Sequence, residues 1–106
     1  MIVEYIRYEL TSHAPADLIS AYEQAAPHLQ AAPECLGYDL SACEEEPNSL
    51  TLRIRWQSTE AHMQCFRRGP NFPPFLSAIR PFVGEIAEMR HYIPTGLKWS
   101  RQDALS

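Results

Sequence analysis

The chain lacks the features that assign a sequence to a membrane or a nucleic-acid-binding class. No stretch approaches the run of about 18 apolar residues that a membrane-spanning helix needs. The 9 basic residues are scattered, and the net charge is -4, whereas a nucleic-acid surface needs a concentrated basic face. We therefore expect neither a membrane nor a nucleic acid as a partner.

Cysteine is also scarce. Cys35, Cys43 and Cys65 are an odd number of cysteines and form no Cys-x-x-Cys pair, which argues against a disulfide framework or a zinc site. The N-terminus carries acidic residues and alternates between apolar and polar positions, so it resembles a strand rather than a signal peptide. Free thiols are typical of a reducing compartment, and the sequence predicts a cytoplasmic protein.

The 106 residues are 45% hydrophobic and 21% charged, which is an ordinary balance for one globular domain with one modest core. Alternation of apolar residues predicts strands over 2–10, 36–43, 50–56 and about 83–93, and helical spacing predicts helices over 15–31 and 58–82. The second helix is interrupted at Gly69 and Pro70. We expect one domain over 1–93 and a polar tail over 94–106.

This order of elements, strand, helix, strand, strand, helix, strand, is the ferredoxin-like βαββαβ arrangement of the α+β class. Right-handed crossovers give an antiparallel four-stranded sheet in the order 4-1-3-2, with both helices on one face. The even-numbered residues of the first strand are the more apolar set, so they are predicted to face the core.

The other face of the sheet is predicted to be mixed rather than polar. It carries Val3, Tyr5, Arg7, Thr51, Arg53, Arg55, Ile86, Glu88, Arg90 and Tyr92. Acidic side chains such as Asp39 and Glu9 can offset the arginines. Aromatic residues beside paired charges are typical of a partner surface, and we expect a homodimer joined through the sheet faces. An exposed sheet with ordinary amphipathic residues is the alternative.

The stretch CFRRGPNFPPF over 65–75 breaks the second helix. Gly69 and Pro70 stop a helix, and Asn71 is suited to cap the next one. The phenylalanines at positions 66, 72 and 75 either wall an apolar cavity or simply fill the core. Arg67 or Asn71 at the mouth of a cavity would bind an oxyanion, unless Arg67 is a surface residue and Asn71 only a helix cap.

Strand geometry predicts a cluster of functional residues. The start of the first strand lies beside the ends of the third and fourth, which gathers Glu4, Trp56 and His91, with His28 and His62 arriving from the helices. A carboxylate on the core face must be paired or line a wet cavity.

One interpretation of this cluster is an acid/base pair of Glu4 and a histidine that removes a proton from an aromatic hydroxyl, with Trp56 stacked on the ring. The alternative places Glu4 in water at a frayed strand end and His62 on the surface. Glu4, His62 and His91 are also possible metal ligands by type, but no short ligand spacing supports a metal site.

The run LRIRWQSTEAH over 52–62, followed by FRRGPNF over 66–72 and by Phe75, resembles the antibiotic biosynthesis monooxygenase domain family. Members carry a strand that ends in Trp, then Ser-x-Glu-Ala, a helix, a Pro-His-Phe-like break and a short second helix. The resemblance covers about residues 1–93. It implies a dimeric α+β barrel with a pocket between sheet and helices, and activities that include cofactor-free oxygenation of quinol or anthrone rings, haem degradation and isomerisation of small carbonyl compounds.

The chain departs from parts of that pattern. Haem-degrading members use an asparagine on the first strand and a histidine as iron ligand, whereas this first strand has no asparagine and the ligand position falls near Phe75 or Leu76. Isomerases and quinol oxygenases of the family often carry histidines around the break, where this chain has Arg67 and Asn71. Neither side chain is a good general base near neutral pH.

The resemblance and the cluster together predict a cofactor-independent monooxygenase acting on an aromatic quinol- or anthrone-type molecule, without a metal or other cofactor. The predicted catalytic residues are Glu4, His62 and His91. The predicted ligand contacts are Trp56, Phe66, Arg67, Asn71, Phe72 and Phe75. A non-catalytic ligand-binding or accessory module of the same fold is the alternative that the missing histidines favour, and an isomerase is a third.

Overall fold

The structure is a computed structural model that describes residues 1–101. Residues 102–106, the end of the predicted tail, lie outside the described residues. The strands are β1 (Ile2–Glu9), β2 (Cys35–Ala42), β3 (Ser49–Trp56) and β4 (Ile86–Tyr92). The helices are α1 (Pro15–Gln30), a π-helical segment (Ala61–Phe66), α2 (Phe72–Ile79) and a 3-10 helix (Arg80–Glu85).

The four strands form one antiparallel sheet in the order β2-β3-β1-β4, which is the predicted order seen from the opposite edge. The predicted ferredoxin-like α+β fold is therefore confirmed. Among the described residues, no helix combines the length and hydropathy that crossing a bilayer requires.

The core lies between the sheet and the helices. The even-numbered residues of β1 are buried as predicted, and so are the helix-facing residues of β3: Leu50, Leu52, Ile54 and Trp56. From the helical side, Leu18, Tyr22, Ala25 and Leu29 are the buried residues of α1, in agreement with their helical spacing. Burial of this apolar surface is the main term that stabilises the fold.

A β-bulge corrects one prediction about β4. Arg7 pairs with Glu88 but Tyr8 pairs with Ile86, so the register shifts by one residue between them. Ile86 consequently faces the helices together with Tyr8 and lines the internal cavity. The prediction that Ile86 lies on the open face is wrong, because a bulge reverses the alternation of side chains. Residues 83–85, predicted as strand, belong to the 3-10 helix.

The start of α1 has no hydroxyl side chain as its cap. Its N-cap is Ala14, whose N–H donates to the Asp17 carboxylate at 3.0 Å, and Thr11 and Ser12 do not cap it. Their backbone N–H groups instead donate to Glu85 Oε1 at 2.7 and 2.8 Å. Those bonds, together with a hydrogen bond between Glu85 and the His13 ring, lower the pKa of Glu85 from its ordinary 4.5 to about 2. They also tie the loop after β1 to the 3-10 helix. Pro27 lies inside α1 without ending it.

The segment after β3 is a π-helix, although the spacing predicted an α-helix. Ser58 Oγ accepts the N–H of Ala61 at 2.9 Å, and the N–H of Arg67 donates to the carbonyl of His62, five residues earlier, at 3.0 Å. The wider turn places His62, Phe66 and Arg67 on the same side of the segment, where all three line the cavity. π-helical turns are frequent at functional sites.

Candidate functional site

A cavity of about 380 Å³ lies between the sheet and the helical segments. Its sheet side is formed by Glu4, Ile6, Tyr8, Ile54 and Trp56. Its helical side is formed by His62, Phe66, Arg67, Phe72, Phe75, Leu76, Ile79 and Val83, and Ile86 and Met89 close it beside β4. The volume is near the lower end of the roughly 300–1,000 Å³ of small-molecule sites, and the mostly apolar lining suits a flat ring.

Glu4 is the buried carboxylate of this cavity, with 2% of its surface exposed. It lies on a central strand between Ile54 and His91, so no sheet edge exposes it to water. Trp56 Nε1 donates to Glu4 Oε1 at 3.0 Å. Burial raises the pKa of Glu4, and the hydrogen bond from Trp56 and the nearby charges of His91 and Arg67 only partly oppose that rise. The alternative of a carboxylate in water at a frayed strand end is wrong.

His62 is equally buried, which excludes the alternative of a surface residue. Its ring stacks on Trp56, with centroids 4.5 Å apart and planes inclined by 12°, and its Nε2 lies 3.5 Å from Glu4 Oε1. Burial, reinforced by the charges of Arg67 and His91, lowers the pKa of His62 to about 4. The imidazole is therefore neutral at neutral pH and is not the cation of an ion pair with Glu4.

His91 extends the cluster toward the edge of the sheet. Its Nε2 lies 2.9 Å from His62 Nδ1, so one imidazole donates a hydrogen bond to the other. His91 is half-buried and lies behind His62 rather than on the cavity wall. Contacts from Glu4 to His62 and from His62 to His91 thus connect a buried carboxylate to β4, the strand at the sheet edge.

The same three residues are a possible ligand set for a metal ion. One ligand atom from each of Glu4, His62 and His91 lies within 4.8 Å of the others. Two imidazoles and a carboxylate are a set that divalent transition metals accept. The sequence offered no spacing signal for this arrangement, because the three residues come from three separate elements.

Phe66, Phe72 and Phe75 were predicted either to wall a cavity or to fill the core, and they do both. Phe66 packs edge-on against Phe72 and Phe75, with centroids 5.6 and 5.4 Å apart, and lies 4.9 Å from Trp56. These rings belong to the core and line the cavity at once. The guanidinium of Arg67 lies 5.5 Å from the centroid of Phe72, so Arg67 brings a positive charge to the same wall.

Two residues of the predicted site lie elsewhere. Asn71 lines a separate surface recess with Cys65, Gly69 and Pro70. It is the N-cap residue of α2, as predicted, but its side chain makes no capping hydrogen bond. His28, which was expected to arrive at the cluster from α1, belongs neither to the cluster nor to the cavity lining. Trp56 lies in place, but His62 covers one face of its indole.

Sequence reasoning missed a pair of tyrosines at the other end of the cavity. The hydroxyls of Tyr8 and Tyr22 lie 2.6 Å apart, and both residues are buried. Burial raises the pKa of Tyr8 to about 12 and raises that of Tyr22 as well. Periodicity placed both on core-facing sides of their elements, but it carries no signal that two hydroxyls from β1 and α1 meet.

Known proteins resemble this chain in sequence and in fold. The family model of antibiotic biosynthesis monooxygenases matches residues 1–76. The uncharacterized protein YczJ of Bacillus subtilis (strain 168) is 25% identical over 72 residues, which cover 68% of this chain and 76% of YczJ.

Two solved structures have the same fold. A candidate antibiotic biosynthesis monooxygenase from Bordetella bronchiseptica is 25% identical, with a TM-score of 0.71 over 88% of this chain and 95% of that one. A variant of SnoaB, a cofactor-independent oxygenase from Streptomyces nogalater, is 19% identical, with a TM-score of 0.73 over 89% and 92% of the two chains. At that identity the similarity to SnoaB shows the fold alone.

Proposed function

Because the chain belongs to the antibiotic biosynthesis monooxygenase family, we propose that it is a cofactor-independent monooxygenase acting on a hydroxylated aromatic ring. The observation that carries the proposal is the carboxylate of Glu4, buried on the wall of an apolar cavity and held by Trp56 and His62. A carboxylate with a raised pKa is a better base for a phenolic hydroxyl than one in water.

In the proposed reaction Glu4 removes the proton of a ring hydroxyl. The neutral His62 lies between Glu4 and His91, so it is placed to pass that proton toward the sheet edge. The positive charge of Arg67 on the cavity wall favours the phenolate that forms. Trp56 is a positioning residue in this scheme, because its N–H fixes the carboxylate that reacts.

The phenolate is electron-rich enough to reduce O₂ by one electron, which gives a substrate radical and superoxide. The two combine at an unsubstituted ring carbon ortho or para to the oxygen, and a carbon–oxygen bond forms. Loss of water from that hydroperoxide breaks the oxygen–oxygen bond and leaves a quinone. One phenol and one O₂ give one quinone and one water, so no external reductant is required.

Oxygen uptake by metal-free and flavin-free protein tests this proposal, with a panel of naphthols, quinols and anthrones as substrates. Glu4→Gln keeps the size of the side chain and an oxygen for the Trp56 N–H, but it removes the base. We expect the rate of oxygen uptake to fall by at least about a hundredfold, as is typical for the loss of a general base. Glu23→Gln, on the exposed side of α1, is the matched control and should leave the rate unchanged.

Uptake that persists in Glu4→Gln would contradict the proposal. So would uptake that disappears with a chelator and returns only with a metal ion, since the cluster of Glu4, His62 and His91 would then act as a metal site. The second candidate, a ligand-binding module without turnover, rests on Arg67 and Asn71 replacing histidines at the helix break. It predicts that panel compounds bind without oxygen uptake.

We also propose that two copies of the chain associate through the open face of the sheet. Tyr5 and Tyr92 meet edge-on there, with centroids 5.1 Å apart, and both remain substantially exposed. Arg53 of β3 forms an ion pair with Asp39 of the adjacent β2 at 2.6 Å, and Arg90 forms one with Glu88 of the same strand at 3.1 Å. Aromatic rings among neutralised charges are typical of a protein interface.

A further inference from the structure

The cavity has two polar ends on one strand. Glu4 and Tyr8 both line it from β1, and they are four residues apart on the same side of the strand. At the rise of an extended strand, their Cα atoms are about 13 Å apart. Ile6 lies between them, and Phe75 and Ile79 face them from α2, so the walls between the two ends are apolar.

The tyrosine end has a hydrogen-bond donor to spare. Each phenol carries one hydrogen, and the single bond between Tyr8 and Tyr22 uses one of the two. Within residues 1–101, neither hydroxyl has another protein partner. Both groups stay protonated at neutral pH, because burial raises the pKa of each phenol. When Tyr22 donates to Tyr8, the hydrogen of Tyr8 is free for a ligand in the cavity.

We propose that the Tyr8 hydroxyl donates a hydrogen bond to an oxygen atom on the edge of the ligand opposite the hydroxyl that faces Glu4. The ligand class is therefore an aromatic molecule of one or two fused rings with oxygen atoms on opposite edges, such as a hydroquinone or a naphthalenediol. The assignment of the Glu4 end rests on the proposed function, whereas the Tyr8 end stands on the hydroxyl pair.

The two ends act on one conjugated system. When the hydroxyl at the Glu4 end loses its proton, the ring becomes more electron-rich, and the oxygen at the other edge becomes a stronger hydrogen-bond acceptor. A fixed donor at that position stabilises the anion more than the neutral ligand, which is how an oxyanion-binding group accelerates a reaction. The Tyr8 hydroxyl thus contributes both to recognition of the ligand and to removal of its proton.

Equilibrium binding of three probes under anaerobic conditions tests the inference. The probes are naphthalene, a naphthol with one hydroxyl, and a naphthalenediol with hydroxyls on opposite rings. We expect the diol to bind about tenfold more tightly than the naphthol, because one more hydrogen bond forms. Tyr8→Phe should abolish that preference.

Two further variants show which tyrosine hydroxyl causes the preference for the diol. Tyr22→Phe should keep the preference for the diol, because Tyr8 retains its own hydrogen. Tyr38→Phe is the matched control, since its hydroxyl accepts a bond from Gln30 and is not on the cavity wall. A preference that survives in Tyr8→Phe, or that disappears in Tyr22→Phe alone, would overturn the inference. If Tyr8→Phe does not fold, equal affinity of the wild-type protein for naphthol and diol is the outcome that refutes it.

These outcomes are independent of turnover. A diol preference that depends on Tyr8, in a protein that consumes no oxygen, would refute the proposed function and leave this inference standing. Oxygen uptake that depends on Glu4, in a protein that binds naphthol and diol equally, would do the reverse.

Discussion

At the residue scale, burial shifts the pKa values of Glu4 and His62 in opposite directions. Glu4 and His62 are both almost completely buried. Burial penalises the charged form of each, so it raises the pKa of the carboxyl and lowers that of the imidazole. The neutral imidazole therefore adds no second charge beside the Glu4 carboxylate, and uptake of a proton by Glu4 removes the cost of its buried charge.

The lowered pKa of His62 predicts a pH dependence of stability. Between its ordinary 6.5 and its folded value of about 4, the unfolded chain binds a proton that the folded chain does not. The free energy of unfolding therefore falls as the pH decreases through this range, by about 2 kcal/mol between pH 7 and pH 5. The raised pKa of Glu4 acts in the opposite sense, because its contribution to stability is lost as the pH rises above 4.5.

Urea unfolding at the two pH values measures this dependence. His62→Gln should remove most of the difference attributed to the imidazole, and His28→Gln, outside the cluster, should leave it as in the wild-type protein. Identical pH dependence in His62→Gln and wild type would show that the buried imidazole titrates normally.

How far the site follows from sequence differs between residues. Glu4, Trp56 and His91 were predicted to lie together because strand pairing fixes their neighbours. The hydrogen bond between His62 and His91 and the pair of Tyr8 and Tyr22 depend on how the helical segments sit over the sheet, which periodicity does not specify.

At the element scale, the break between the π-helical segment and α2 depends on a glycine. The N–H of Gly69 donates to the carbonyl of Phe66 at 3.0 Å, which turns the chain back over the cavity. A Cβ at position 69 would lie 2.4 Å from the carbonyl oxygen of Cys65, and that backbone atom has little freedom to move. The close approach, and not an unusual φ angle, requires glycine here.

Gly69→Ala is therefore expected to lower the free energy of unfolding by about 1–3 kcal/mol, the usual cost of forcing an extra methyl group into a packed position. It should also weaken ligand binding, since the turn joins Phe66 to Phe72. Gly84→Ala is the matched control, because a Cβ at position 84 would meet no atom within 4 Å, and the stability of this variant should be unchanged or slightly higher. Chemical denaturation of the two variants makes the comparison, and equal stabilities would refute the steric account.

The order and type of the elements could be predicted because period-2 and helical patterns are strong along most of the chain. The π-helix and the bulge beside Tyr8 could not be. Each adds one residue to a regular repeat, and the surrounding pattern of apolar residues is compatible with either geometry. The misplacement of Ile86 followed directly from the unseen bulge.

At the scale of the whole molecule, the sheet has one face covered by helices and one face that no helix within residues 1–101 covers. An antiparallel sheet with one solvated face is ordinarily polar on that side. Here Tyr5 and Tyr92 interrupt the charges, and Tyr5 lies between Arg53 and Arg90 on the neighbouring strands. The proposed homodimer would bury these rings while the ion pairs neutralise the arginines.

Sedimentation at micromolar concentration tests the dimer. The wild-type chain should sediment as a dimer, and Tyr5→Lys, which adds a positive charge between two arginines, should sediment as a monomer. Ile19→Lys introduces the same side chain at an exposed apolar position of α1 and should remain a dimer. A monomeric wild-type protein would contradict the proposed interface.

Labelled oxygen, followed through one reaction, tests the proposed monooxygenase chemistry directly. Metal-free and flavin-free protein is mixed with isotopically labelled O₂ and the best-binding naphthalenediol or naphthol, and product and water are analysed by mass spectrometry. We expect one labelled atom in each quinone, the other in water, and one O₂ consumed per product. With Glu4→Gln we expect neither product nor uptake above background. Product that carries no label, or that forms equally well without the Glu4 carboxylate, would contradict the proposed chemistry.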